Sequence, residues 1–548
     1  MLNGAPAEPD PFPVSWEDPG DAERSWERDD MHWPFALTPL AAEWVRVIGQ
    51  GFNLAPVLFG GFPQRWHARI WNGYAYLGRD ANVAEADRAE LSDRWVAMSR
   101  ERAEVTAAYW SDEVLPELRL LEAQIRATPV ETMDRADLAA AWDRAWAAAE
   151  RMWQLHFCLI IGPYQILEDL ADLYDAVVPG ASPGEALRLV QGSRHELLDM
   201  ELGMEHLATY AGAHPAIREA LIARASSSGP SREPMGLDEA RALPHGPAFL
   251  LELDAILTQH GHLGQGFDDL GLPSWVEEPS LVLAQLGMRL ANPPEPAEAR
   301  RVRLEAEATS LADAVRARLI NQPDEVTKFE RLLRLAREIG PLTEVHNYWI
   351  DRMAQARIRA FSMRVGGRLA QEGCFAAADD VLYLDRTEIR ERLQRPSDVR
   401  SLIAERRAEH ARHGTVKPPR TLGLVRTGEP DRFDGERFVS TEPDVLQGTG
   451  ASAGVARGPA RVTLSPADFG RIGAGDIIVC PSSNPSWVPV FTIAAGLVTN
   501  TGGILSHAAV VAREFGLPAV VGTGDATTRI ADGRLVEIDG STGFVRLL

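Results

Sequence analysis

The sequence predicts a large, mainly α-helical domain followed by a small α/β domain, and three observations lead there. From Ala81 to about residue 373 apolar residues recur at three-and-four spacing, the signature of helices with one buried face. Between about Gly414 and Leu446 proline, glycine and mixed charge interrupt that pattern. Beyond it the small residues and period-two alternation of the last hundred positions read as short strands.

The first fourteen residues, acidic and proline-rich, read as a disordered tail, with no basic-then-apolar leader. Residues 15–413 read as the helical domain. It opens on a stretch dense in Trp and Pro, from Trp16 through His32-Trp33-Pro34 to Leu40, and then passes Gly60-Gly61-Phe62-Pro63 and Trp71-Asn72-Gly73-Tyr74. Helical spacing follows over 84–127, 134–160, 184–212, 237–260, 279–291, 296–320, 324–338 and 342–373. Thr132 or Asp134 is a suitable cap and Pro179-Gly180 a break. Residues 414–446 read as a linker and hinge, and 447–548 as the α/β domain.

Composition narrows the function. The chain has 548 residues and a formal net charge of −22. Its last hundred residues balance seven arginines against seven acids, so the excess lies in the helical part, which argues against nucleic acid and anionic membranes as partners. No apolar run reaches eighteen residues, and the three cysteines are far apart, so a cytoplasmic protein is expected. Lys328 and Lys417 are the only lysines, and neither follows the glycine spacing of a Walker-type loop.

The most informative stretch is Thr499 to Pro518. A small apolar strand leads into Gly502-Gly503, where the backbone can turn tightly and approach a ligand. Ser506 is positioned to cap a helix that begins at His507 and stops at Gly516, with Pro518 just beyond. The first-turn N–H groups of such a helix favour a bound phosphate. The neutral imidazole of His507 supplies a nucleophilic nitrogen beside them. Gly502, Gly503, Ser506 and Arg513 are the candidate phosphate-binding residues.

Gly502-Gly503-Ile504-Leu505-Ser506-His507-Ala508-Ala509-Val510-Val511-Ala512-Arg513-Glu514, followed by Gly516-Leu517-Pro518-Ala519-Val520, resembles the phosphohistidine signature of the phosphoenolpyruvate-utilising enzymes. Their swivelling domain is shared by pyruvate phosphate dikinase, phosphoenolpyruvate synthase, rifampin phosphotransferase and phenylphosphate synthase. Gly448-Thr449-Gly450-Ala451-Ser452-Ala453-Gly454, Gly458-Pro459-Ala460, Asp532-Gly533 and Asp539-Gly540-Ser541-Thr542-Gly543 extend the likeness over about a hundred residues. The resemblance implies a swivelling phosphohistidine domain in which His507 carries a phosphoryl group between two distant sites. The helical part is similar to the acceptor domain of rifampin phosphotransferase and, in layout, to the histidine-bearing subunit of phenylphosphate synthase.

That layout implies a dikinase-type phosphotransferase subunit. No ATP-grasp pattern precedes the hinge, so magnesium and ATP are expected on a separate ATP-grasp subunit. The acceptor is expected to be a small, aromatic or apolar hydroxyl compound. Candidate bases for its hydroxyl are His260 and His262, in a glycine-rich turn, and His346 in a helical stretch. On an ideal helix Glu344 and His346 point apart, and His346 and Asp351, five apart, meet only loosely. His32, Trp33, Trp275, Glu344 and Asp351 complete the candidate acceptor pocket. No metal site is expected, since His260 and His262 match no zinc spacing. Self-association is left open. The alternative is a non-catalytic phosphocarrier or regulatory protein that keeps the swivelling domain.

Overall fold

In the computed structural model, the residues described are 12–58, 64–81, 85–226, 235–264, 269–424, 442, 444–464, 466–483 and 487–548. A large, mainly helical domain leads into a small α/β domain.

The helical domain is assembled around one long helix, Arg135–Val177. Asp134 starts it, its carboxylate accepting from the Asp137 N–H at 2.9 Å. The helix runs well past residue 160, where spacing alone had ended it, and carries Pro163 inside. Its neighbours hold it across that point. Gly162 sits so close to Ala103 and Thr106 that an added Cβ would lie 2.9 Å from the Thr106 Oγ1. At 43 residues it is about 65 Å long, enough to serve more than one core. Its first half joins Trp44, Trp142, Trp146, Trp153 and Phe361 in one cluster. Its second half meets the helix Pro323–Ile339 through Ile166, Leu170, Phe329 and Leu332. A third cluster, with Phe249, Trp275, Leu286 and Tyr348, lies around the helices Gly246–His260 and Ser280–Ala291.

The aromatic opening segment forms a sheet. Strands β1 (Ser25–Arg28), β2 (Gln64–Trp71), β3 (Tyr74–Ala81) and β4 (Thr421–Gly423) pair antiparallel in the order β2-β3-β1-β4. Two expectations shift as a result. Of the segment 1–14, residues 1–11 lie outside the described residues. Phe12 packs on Tyr74 and Tyr76 at 6.3 and 6.1 Å between ring centroids, so Phe12–Val14 belong to the sheet's core rather than to a tail. Thr421–Gly423, inside the segment read as a linker, pair with Ser25–Glu27 and are tied to the helical domain. Most of the remaining linker lies outside the described residues.

The α/β domain is a sheet in the order β5-β12-β11-β7-β8-β9-β10-β6. Its strands are β5 (Val445–Gln447), β6 (Thr449–Ser452), β7 (Val455–Val462), β8 (Ile477–Cys480), β9 (Gly496–Thr499), β10 (Ala519–Val521), β11 (Leu535–Asp539) and β12 (Phe544–Leu547). The stretch β7-β8-β9-β10 is parallel, and the helix His507–Phe515 is the crossover from β9 to β10. One face packs on Phe469, Trp487, Phe491 and Ala509, the other on Ala526 and Ile530. Trp487 is therefore a core residue, 4.9 Å edge-to-face from Phe469.

The two domains touch directly. Met288 of the helical domain sits in the core of the α/β domain. The Arg300 guanidinium lies over the Phe515 ring at 4.0 Å, and the Ser482 hydroxyl donates to the Met31 carbonyl at 2.9 Å. No described helix is long and apolar enough to cross a membrane.

Candidate functional site

The turn between β9 and the helix His507–Phe515 is built as its sequence requires. Gly502 has φ +108, a conformation that side chains avoid, and an added Cβ there would lie 2.9 Å from the Ser506 Oγ. Ser506 occupies the cap position with extended backbone, yet makes no capping bond. Its hydroxyl donates instead to the Gly503 carbonyl at 2.8 Å. The first-turn N–H groups are thus left for another acceptor. Gly516, at φ +64, ends the helix, its N–H donating to the carbonyls of Ala512 and Arg513. Arg513 turns away from the cavity and donates to the Ala451 carbonyl at 3.0 Å, and burial pushes its pKa down to about 10. It braces the helix on β6 and does not reach the glycine turn.

His507 is only 8% exposed. Its Nδ1 lies 3.0 Å from the Glu344 Oε2, across the domain boundary. A carboxylate accepts, so Nδ1 carries the proton and Nε2 presents its lone pair. Nε2 has no hydrogen-bond partner among the described residues. Burial pushes the Glu344 carboxyl up, but the neighbouring imidazoles, chiefly His507, outweigh it and hold the group below its ordinary value. The ionised carboxylate is the form that fixes this tautomer.

His507 lines a cavity of about 350 Å³ at the domain junction. The α/β domain contributes Ser482, Ser483, Thr501, Gly502, Leu505 and Ser506. The long helix contributes the stripe Trp153, His156, Phe157, Ile160 and Tyr164, at helical spacing. Asp29, His32 and Trp33 come from the segment after β1. The fourth wall is Thr343, Glu344, His346, Asn347 and Asp351. A second, more apolar cavity of about 600 Å³ shares Phe52, Phe157, Ile160, Tyr164 and Leu505 with the first, so the space extends away from His507.

The helix Leu342–His346 continues as π-helix over Asn347–Arg352. In an i→i+5 turn, residues five apart share a face, and this brings His346 to Asp351, with Nε2 4.0 Å from Oδ2. An ideal α-helix would have kept them apart. The His346 Nδ1 donates to the Leu342 carbonyl at 2.7 Å. Burial, reinforced by His156, lowers its pKa to about 4, so the ring is neutral. Burial raises the Asp351 carboxyl well above its ordinary value, against the opposing charge of its neighbours. His156, a site residue the sequence reading missed, donates from Nδ1 to the Asp351 Oδ1 at 2.7 Å. Its only sequence signal is one imidazole inside the apolar run Met152–Ile161.

Of the residues expected from sequence, His507, Glu344, His346, Asp351, His32, Trp33, Gly502 and Ser506 meet at this cavity. Gly503 stands beside it in the turn. His260, His262 and Trp275 do not line it. His260 bonds the Tyr348 hydroxyl at 2.8 Å, and His262 packs edge-on to the same ring at 4.4 Å. Trp275 is buried in that core. The glycine-rich turn folds its two imidazoles inward, where burial lowers their pKa values to about 4 and 3. These three residues serve the tyrosine core and not the junction cavity.

Comparison with known proteins agrees with this arrangement. Residues 472–543 match the family "PEP-utilising enzyme, mobile domain", and residues 164–344 match the "rifampicin phosphotransferase fourth domain". Over these two stretches the chain is similar to the mobile domain of the PEP-utilising enzymes and to a domain of the rifampicin phosphotransferases. It is 31% identical over its full length to the chondramide synthase of Chondromyces crocatus, of which it covers 14%. Over 57% of its length it is 32% identical to a rifampicin phosphotransferase of Streptomyces sviceus, covering 36% of that protein. Over 55% of its length it is 29% identical to an uncharacterised phosphotransferase of Bacillus subtilis, covering 37% of that protein. The chain thus spans about a third of the two phosphotransferases and a seventh of the synthase.

Proposed function

We propose that this chain transfers a phosphoryl group from Nε2 of His507 to a hydroxyl of a small, aromatic or apolar acceptor bound in the junction cavity. The observation that carries the reading is the buried, partnerless Nε2, tautomerically fixed by Glu344, on a histidine that lines that cavity. In the transfer, the N–P bond breaks and its electron pair returns to the imidazole. The acceptor oxygen forms the new P–O bond, and its proton leaves to the cluster of Asp351, His156 and His346. Alignment of donor and acceptor in one closed space supplies much of the rate. Trp33, Trp66, Trp153, Phe157 and Tyr164 give the acceptor an aromatic enclosure. Such a cavity weighs against the alternative of a carrier that only delivers phosphate to another protein.

The phosphoryl group originates, in this reading, from ATP with magnesium on an ATP-grasp unit carried by a separate chain. The junction cavity does not fit that nucleotide. Among the described residues no arginine or lysine lines it, and its donors include two imidazoles, which suit magnesium poorly. Labelled ATP, a candidate ATP-grasp protein and the full chain are expected to give AMP and an acid-labile label on the chain. That label is expected to disappear in His507→Ala. An identical label in wild type and variant would overturn the reading.

A further inference from the structure

His156, His346 and Asp351 each offer a ligand atom, and the three atoms lie within 4.8 Å of one another in the wall facing His507. All three residues are more than nine-tenths buried. Because the His346 Nδ1 donates to a carbonyl, its Nε2 is an electron pair. That pair faces the Asp351 Oδ2 at 4.0 Å, too long for a hydrogen bond. Two acceptors turned toward one another across that gap call for something positive between them.

The charge of the cavity makes the same demand. The walls hold Asp29, Glu344 and Asp351, and among the described residues no arginine or lysine lines it. A phosphoryl dianion on His507 would be brought against carboxylates. Phosphoryl transfer is catalysed chiefly by neutralising that charge, usually with cationic side chains or metal ions. Here the side chains cannot do it.

We infer that His156, His346 and Asp351 bind a divalent first-row transition-metal ion, such as zinc, in the wall of the acceptor cavity. Two imidazoles beside one carboxylate favour zinc or iron over magnesium. The Leu342 carbonyl orients the His346 ring in the way that outer partners orient metal-binding histidines. Three protein ligands leave a coordination position open, where an acceptor hydroxyl can bind and become acidic, its proton then leaving to water because the three ligands are held by the ion. Metal binding was not expected from the sequence, because the set combines residues 195 positions apart with a π-turn. The role given to the ion rests on the transfer reading above, but its binding does not.

The test uses the full chain, stripped with a chelator and titrated with Zn²⁺ by calorimetry and with Co²⁺ by visible absorption. One equivalent is expected to bind. His346→Gln and Asp351→Asn are each expected to weaken binding about 100-fold or more. His507→Ala is expected to bind like wild type. X-ray absorption of the wild-type chain with one equivalent of zinc is expected to show two imidazole nitrogens and oxygen, a readout independent of how the variants fold. No stoichiometric binding, or a spectrum without two imidazoles, would overturn the site. Zinc binding without any phosphohistidine would leave the site standing and remove the transfer reading. Phosphohistidine without zinc binding would do the reverse.

Discussion

At His507 the two ring nitrogens have different owners. The α/β domain supplies the imidazole, and the helical domain supplies Glu344, which holds the proton on Nδ1. The contact requires the domains to be docked, so in the proposed transfer Glu344 is expected to serve delivery and not charging. Glu344→Gln is expected to leave phosphohistidine formation near wild type. It is expected to slow single-turnover transfer to the acceptor by about 10- to 100-fold, the loss of one hydrogen bond to a charged group. Equal losses in both steps would show that Glu344 acts on the fold instead. Residues such as His507 were legible in the sequence because glycine turn, cap and helix stop are written within twenty consecutive positions. His156 was not legible, since a histidine among core residues has the same appearance whether it packs or acts. Its partner Asp351 lies 195 positions away.

At the scale of elements, the helix Gly246–His260 and the π-helix Asn347–Arg352 meet through His260 and Tyr348. Burial lowers the His260 pKa to about 4, somewhat offset by Asp199, whereas an unfolded histidine titrates near ~6.5. The folded state therefore prefers the neutral ring. Stability from this residue is complete above about pH 6.5 and is lost as the pH falls toward 4, by up to about 3 kcal/mol. His260→Gln cannot titrate. Urea unfolding at pH 7 and pH 4.5 is expected to show a smaller acid loss in this variant than in wild type. Equal losses would mean that His260 is accessible to protons in the fold. The π-turn itself was not legible either. Residues 342–373 carry helical spacing throughout, and nothing in their apolar pattern marks where the turn widens to bring Asp351 under His346. The β1–β4 sheet escaped for a different reason, because its edge strand β4 is contributed from the far side of the helical domain's sequence.

For the whole molecule, the proposed transfer makes delivery by His507 depend on the docking of the two domains. Met288, on the helix Ser280–Ala291, is the helical domain's apolar side chain in the core of the α/β domain. Arg300 lies over Phe515 and is paired with the buried Glu201. Burying a methionine contributes about 1.5–3 kcal/mol, and placing a carboxylate there adds a desolvation cost. A mobile carrier needs such a contact to be modest, since it must also leave. Met288→Asp is expected to shift the chain toward undocked forms without lowering the melting of either domain substantially. Small-angle scattering should then report a larger radius of gyration, and amide exchange should rise along the helix His507–Phe515. Phosphohistidine formation should persist while transfer falls at least about tenfold, as the 1.5–3 kcal/mol of lost contact requires. If the variant keeps the wild-type radius and exchange, the Met288 contact does not hold the domains together. The docked state would then rest on the other contacts, among them His507 with Glu344, Ser482 with the Met31 carbonyl, Arg300 over Phe515, and Leu505 against the helical core.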